Sequence, residues 1–223
     1  MSSGVHIRQW TEKDASGTWE VLKEASFSNL YPSFKIAISR PASIKLASAV
    51  ALVAGVVLHS FLAVTISLII YGCAVYGFSF IGTLYYLYGP THDDMKNARQ
   101  NYFRDEDDNF WIAEVNGEIA GTVGIVKKTA GDAERKVAWL RRMAVKRNFR
   151  RLGIAKKLVS TAISFCKQRH YDKIELITTE VHQPARNLYT RLGFIMVDYR
   201  PYKYLLGLIS VWTYEFEYEL NDN

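Results

Sequence analysis

From Leu46 to Tyr88 the chain carries no Asp, Glu, Lys or Arg, and His59 is the only titratable side chain there apart from Tyr and Cys. A bilayer core is crossed by about 20 apolar residues, so these 43 residues amount to about two spans. The run lies too far from the N-terminus, and is too long, to be a cleaved signal peptide. His59-Ser60 marks the expected turn, with arms from about Leu46 to Leu58 and from Phe61 to Tyr88. The first arm can lengthen backwards through Ile44 and Lys45, whose ammonium can snorkel. Tyr85, Tyr86 and Tyr88 cluster where interfacial aromatics belong. Gly72, Gly77 and Gly82, with Ser67 and Ser79, offer small residues for close helix contact. Lys35, Arg40 and Lys45 flank the entry, which by the positive-inside rule places the N-terminus in the cytosol.

The flanking sequence reads as strands and helices. His6-Ile7-Arg8-Gln9-Trp10 is a strand that enters a helix, with Thr11 as N-cap and Asp14 at the N3 position of a capping box. Phe110–Val115 and Glu118–Val126 form a hairpin about Asn116-Gly117, and Val137–Val145 is the next strand. Lys173–Thr179 follows, and Trp212–Leu220, alternating aromatic with acidic residues, reads as a closing edge strand. Lys127 to Lys136 reads as a polar loop. This order gives an α/β or α+β domain around a mixed sheet. One span would separate the first strand from its partners across a bilayer, whereas a hairpin returns the chain to the same side. The expected segments are 1–43, the start of the domain; 44–90, the membrane hairpin; and 91–223, its remainder.

At Arg150-Arg151-Leu152-Gly153-Ile154-Ala155 a strand passes through a short basic loop into an amphipathic helix. The first turn of a helix exposes N–H groups with no intrahelical acceptor, and the positive end of its dipole favours an anion. Gly153 and Ala155 let a phosphate approach the backbone, and Arg150 and Arg151 add charge-assisted hydrogen bonds. Downstream, Pro184 suits a first helical turn and Gly193 a helix C-terminus. Between them Ala185, Leu188 and Leu192 share one helix face.

The R-x-x-G-x-A loop, followed by Ala185-x-x-Leu188-Tyr189-x-x-x-Gly193-Phe194, resembles the paired hallmarks of the GNAT acetyltransferase superfamily. A domain of that kind interrupted by a membrane segment after its first helix resembles its camello-like branch. That branch includes the cysteine-S-conjugate N-acetyltransferase and the N-acetylaspartate synthase of the endoplasmic reticulum. The matching stretches are His6-Ile7-Arg8, Phe110–Ala113, Arg150–Leu158 and Ala185–Phe194, and the resemblance extends over nearly the whole chain. The resemblance implies a GNAT fold interrupted by a transmembrane helical hairpin, with acetyl-CoA as donor and a small amine as acceptor. It implies binding of acetyl-CoA by the backbone of Met143, Ala144 and Val145, by Arg150 to Ala155 and by Asn187, with Tyr189 as general acid for the departing thiolate.

The proton acceptor is less legible. Relatives often carry a Glu on the strand before the phosphate loop, where this chain reads Ala138-Trp139-Leu140-Arg141-Arg142-Met143. The carboxylate is absent there or displaced to Glu134; Glu180, just past the next strand, is the leading substitute and His182 the second. Arg141 or Arg142 can pair with an acceptor carboxylate, and strict strand alternation turns only one of them to a given face.

The net charge of +6 is concentrated between Arg135 and Tyr171, where no Asp or Glu occurs. The phosphates of CoA account for much of this density and lipid headgroups for more; no nucleic acid is expected. Cys73 and Cys166 indicate no disulfide framework, and no His, Cys, Asp or Glu spacing suggests a metal. The expected protein is a membrane-anchored N-acetyltransferase of the endoplasmic reticulum with its catalytic face in the cytosol, its acceptor a cysteine S-conjugate or aspartate-like, and homo-oligomerisation left open. The alternatives are a protein lysine or N-terminal acetyltransferase of the secretory pathway, and a non-catalytic CoA-binding scaffold.

Overall fold

Runs of β-branched and aromatic residues separated by turn signals give, among the described residues, seven strands in a single sheet. The computed structural model describes residues 4–128, 135–204 and 209–220; Glu134, one of the expected carboxylates, lies outside them, as does most of the Lys127–Lys136 loop. The strands are β1 (His6–Gln9), β2 (Asn109–Val115), β3 (Glu118–Lys127), β4 (Val137–Val145), β5 (Lys173–Thr179), β6 (Ile195–Tyr204) and β7 (Ile209–Glu219). The sheet order is β1-β2-β3-β4-β5-β7-β6. Every adjacent pair is antiparallel except β4 and β5.

The strand Ile209–Glu219 therefore does not close the sheet, contrary to the expectation for Trp212–Leu220. It is paired on both sides, and the edge belongs to β6, whose Asp198, Arg200 and Pro201 break the apolar alternation that would have announced a strand.

The helices are α1 (Ala15–Phe27), α2 (Leu30–Ile38), α3 (Pro41–Leu58), α4 (Phe61–Tyr88), α5 (Asp93–Lys96), α6 (Ala98–Tyr102), α7 (Ile154–Gln168) and α8 (Gln183–Arg191). The chain divides into two compact units, one formed by Ser26–His92 and the other by the sequence on either side of it.

In the sheet unit, β1 pairs His6 with Glu114 and Gln9 with Trp111 of β2. The turn into α1 is the expected one. The backbone N–H of Thr11 donates to Asp14 Oδ2 at 2.8 Å, and its hydroxyl does so at 2.9 Å. Arg8 then binds Asp14 with both Nη atoms at 2.8 Å and Glu114 through Nε at 3.0 Å, which ties the first strand to the first helix. Helix α7 buries Ile154, Leu158, Val159, Ala162 and Cys166, a 3.6-period stripe, against a core that includes Val123, Ile125, Ala138, Leu140, Ile174 and Leu176. Fully burying one such aliphatic side chain contributes about 1.5–3 kcal/mol, so this face holds the helix to the sheet.

In the other unit, α3 and α4 form an antiparallel hairpin. Its turn falls at His59, which adopts the left-handed conformation (φ 46°) and caps α3, and at Ser60, the N-cap of α4. The Tyr71 hydroxyl donates to the Ser43 carbonyl at 2.9 Å, and the two arms come close at Gly55 and Val64. Gly72, Gly77 and Gly82 do not serve this contact as expected, since a Cβ at any of them would meet nothing within 4 Å. Ser67 and Ser79 bond to carbonyls of their own helix. Both α3 and α4 are long and apolar enough to cross a membrane.

Candidate active site

The parallel pairing of β4 with β5 is confined to Val137–Trp139 opposite Lys173–Glu175. Beyond it β4 stays with β3 as far as Val145, while β5 stays with β7 as far as Thr179. The sheet therefore splays between the second half of β4 and the end of β5. The C-terminal ends of both strands lead into helices, α7 and α8, the position at which α/β sheets with parallel strands bind ligands.

On the β4 side the chain passes through a 3₁₀ turn, Arg147–Phe149, whose first N–H donates to Glu24 Oε1 at 2.6 Å. Arg150 is exposed and folds its Nε back onto the Val145 carbonyl at 3.1 Å. Arg151 and Gly153 then both take positive φ, 67° and 76°. At Gly153 this costs nothing, whereas at Arg151 it costs about 1–2 kcal/mol. No side chain caps the N-terminus of α7, so the N–H groups of Ile154, Ala155 and Lys156 have no acceptor within the helix. Arg151, Leu152 and Gly153 are exposed, and a Cβ on Gly153 would meet nothing within 4 Å.

On the β5 side, Glu180 Oε1 accepts the Trp212 backbone N–H at 3.0 Å. His182 Nδ1 lies 3.1 Å from the Thr179 hydroxyl oxygen. Burial, with the Arg186 and Arg150 cations, pushes the His182 pKa down to about 4, so the imidazole is neutral near pH 7. Arg186 donates to the Thr179 carbonyl at 2.6 Å and covers the Tyr214 ring at 4.3 Å. Tyr189, on α8, is 4% exposed, with its ring 5.5 Å from Phe194 and 6.1 Å from Phe216. Asn187 is exposed on the same helix. As expected, Ala185, Leu188 and Leu192 pack on the core, and Gly193 follows with φ 95°.

The half of β4 that has parted from β5 departs from the expected alternation. Its register against β3 jumps between Thr122, opposite Ala144, and Gly124, opposite Arg141, so Arg142 and Met143 together face one residue in a β-bulge. Arg142 adopts φ 54°, and its carbonyl accepts the buried Thr122 hydroxyl at 2.7 Å. The extra residue brings both arginines to one carboxylate. Arg142 grips Asp94 through Nη2 at 2.5 Å and Nε at 3.0 Å, while Arg141 Nη1 lies 3.4 Å from Asp94 Oδ2 and stacks on Trp139 at 4.5 Å. The Tyr102 hydroxyl also donates to Asp94.

Burial alone would raise the Asp94 pKa, but the bonds and charge of Arg142, with Tyr102 and Arg141, outweigh it and lower the pKa. Burial, reinforced by the Asp94 charge, raises the Tyr102 pKa. These four side chains thus carry a net charge of plus one. Asp94 and Tyr102 were not among the expected site residues; the bulge that turns both arginines toward them leaves no mark on local sequence spacing.

A sheet splayed between two helix-leading strands, with an uncapped helix start on one side and a buried tyrosine on the other, defines a CoA-dependent acyltransferase architecture. The chain belongs to the acetyltransferase (GNAT) family, whose model matches residues 80–194, and is an acetyl-CoA-dependent N-acetyltransferase. It is 28% identical over 224 residues to N-acetyltransferase 8 of Rattus norvegicus, covering 96% of this chain and 97% of that protein. Over 101 residues, 45% of this chain, it is 39% identical both to camello and to N-acetylaspartate synthetase of Xenopus tropicalis. Those two matches span 45% and 36% of the relatives' lengths. A Salmonella typhimurium structure described with its cofactor acetyl-CoA shares the fold at a TM-score of 0.58 and 13% identity, covering 99% of this chain and 96% of that one.

Proposed function

We propose that the protein is membrane-anchored and transfers acetyl from acetyl-CoA to the amine of a small amino-acid-type acceptor, a cysteine S-conjugate or an aspartate-like compound. The observation that carries the acceptor class is the pair of guanidiniums, on the half of β4 that has parted from β5, that share the single Asp94 carboxylate. An α-amino acid brings a carboxylate next to the reacting amine, which this net positive group can hold. Arg141, the more exposed of the two at 24% of its side chain against 6%, makes that contact, and Arg142 supports it from behind. The name of the Xenopus tropicalis synthetase supports the same acceptor class.

In this reading the pyrophosphate rests on the N–H groups of Ile154 and Ala155, with Arg150 and Arg151 beside it and Leu152 and Gly153 leaving room. The pantetheine runs along the backbone of Met143, Ala144 and Val145, and Asn187 contacts it from α8. The amine proton leaves to Glu180, directly or through water, with neutral His182 next in line. The amine nitrogen attacks the thioester carbonyl, backbone N–H groups near Met143 hold the oxyanion, the C–S bond breaks, the Tyr189 hydroxyl protonates the thiolate, and the second proton of the attacking nitrogen restores the tyrosine.

The anchor is the α3–α4 hairpin. None of the α3 residues is buried, and Leu52, Val57 and Phe61 are 68, 67 and 94% exposed, an apolar surface larger than water tolerates. The preceding Lys35, Arg40 and Lys45 favour a cytosolic entry, consistent with the cytosolic face of the endoplasmic reticulum.

The test is thiol release from acetyl-CoA by the full chain in detergent micelles, with aspartate, S-benzylcysteine and a lysyl peptide as acceptors. Turnover with one of the amino acids and not with the peptide is expected. Preference for the peptide would overturn the acceptor class, and tight CoA binding without turnover on any amine would indicate a scaffold.

A further inference from the structure

Asp94 transfers no proton in the chemistry above, yet three polar side chains converge on it. We propose that Asp94 is a positioning residue: acting through Arg142, it holds the β4 bulge in the conformation that presents the backbone of Met143–Val145 to the thioester. This rests on the acetyl-transfer reading above. A non-glycine residue at positive φ inside a strand relaxes unless its surroundings over-determine it. Here the Thr122 hydroxyl fixes the Arg142 carbonyl, and Asp94 fixes the Arg142 guanidinium with two bonds.

Tyr102 in turn fixes Asp94. Its ring, fully buried, lies against β3 at Gly124, where a Cβ would come within 2.6 Å of the Tyr102 ring and 2.8 Å of Phe110. The missing side chain at Gly124 is what lets the phenol reach the carboxylate. Arg142, 6% exposed and gripped in two places, is placed to hold its own backbone rather than a ligand. In sequence Asp94 stands 48 positions from Arg142, yet it ties the α5 segment directly to the bulge.

The experiment measures thiol release from acetyl-CoA, with water, aspartate and S-benzylcysteine as acceptors, alongside calorimetric CoA affinity and melting temperature of the full chain in micelles. Asp94→Asn is expected to lower kcat at least about tenfold, because a displaced oxyanion donor acts in the transition state alone, while CoA affinity stays within about twofold. Tyr102→Phe, which keeps the packing and removes only the bond to Asp94, should lower kcat about three- to tenfold in the same pattern.

The distinguishing pair is Arg142→Gly and Arg142→Ala. Glycine takes the left-handed conformation freely, so the glycine variant should keep a kcat about fivefold above the alanine variant, and adding Asp94→Asn to it should change little. Equal losses in the two Arg142 variants, an Asp94→Asn effect confined to acceptor KM, or one confined to melting temperature would each overturn the proposal. A wild type that binds CoA but releases thiol with none of these acceptors would overturn the acetyl-transfer reading itself. An active wild type with kcat insensitive to Asp94→Asn would overturn this inference alone.

Discussion

Tyr189 sits where a single oxygen separates catalysis from packing. Its ring belongs to the apolar cluster with Phe194 and Phe216, and a phenylalanine fills the same space. Tyr189→Phe is therefore expected to keep the fold and CoA affinity while kcat falls about 10²–10⁴-fold, the usual worth of a general acid; steady-state kinetics beside calorimetry would show it, and an unchanged kcat would remove Tyr189 from the mechanism. Asp14 offers a pH readout. The Arg8 hydrogen bonds, with those from Thr11, outweigh burial and hold its pKa down at about 2. The unfolded chain takes up that proton near pH 4, so the stabilisation is complete above about pH 4 and is lost as pH falls toward 2. Asp14→Asn should flatten this acid limb, as followed by denaturant midpoints between pH 5 and 2. The Thr11–Asp14 capping pair was legible because it is a local spacing. The Asp94–Arg142 pair was not, because a bulge shifts side chains between faces without changing composition.

Helix α7 and its loop were the most legible elements, since a basic, small-residue junction followed by a 3.6-period apolar stripe has few other readings. Arg151→Glu with Gly153→Glu places two carboxylates at the uncapped helix start. Acetyl-CoA binding should weaken by at least about tenfold, as expected when charge-assisted bonds to phosphate are replaced by repulsion; unchanged calorimetric affinity would move the phosphates elsewhere. Leu158, fully buried on the opposite face of the same helix, gives a contrasting outcome. Leu158→Ala should cost about 2–5 kcal/mol of stability with little change in the binding constant of the molecules that remain folded, as chemical denaturation would report. Strand β6 was missed for the reason that Asp198, Arg200 and Pro201 interrupt it, and the neighbouring β7 was consequently assigned to the edge. In the hairpin, small residues were expected to face the partner helix, but a glycine in an apolar helix carries no record of which side it presents.

Across the whole molecule, the charge-free stretch was read as two helices with a turn at His59-Ser60, and the capped ends of α3 and α4 fall there. Two spans return the chain to the side it left. Tags at the two ends of the chain should therefore both be digested by protease added to sealed microsomes, with no detergent needed; protection of either tag would contradict the two-span topology. That the two halves of one sheet unit come from opposite sides of this insertion also sets the timetable of biogenesis. β1 is made before its strand partner, which begins at Asn109, and the pair joins His6 to Glu114. At a synthesis rate of about 5–20 residues per second, β1 waits for roughly 5–20 s as an unpaired edge while the apolar segment is made. Any pause in making the intervening apolar segment would lengthen that exposure of β1 directly.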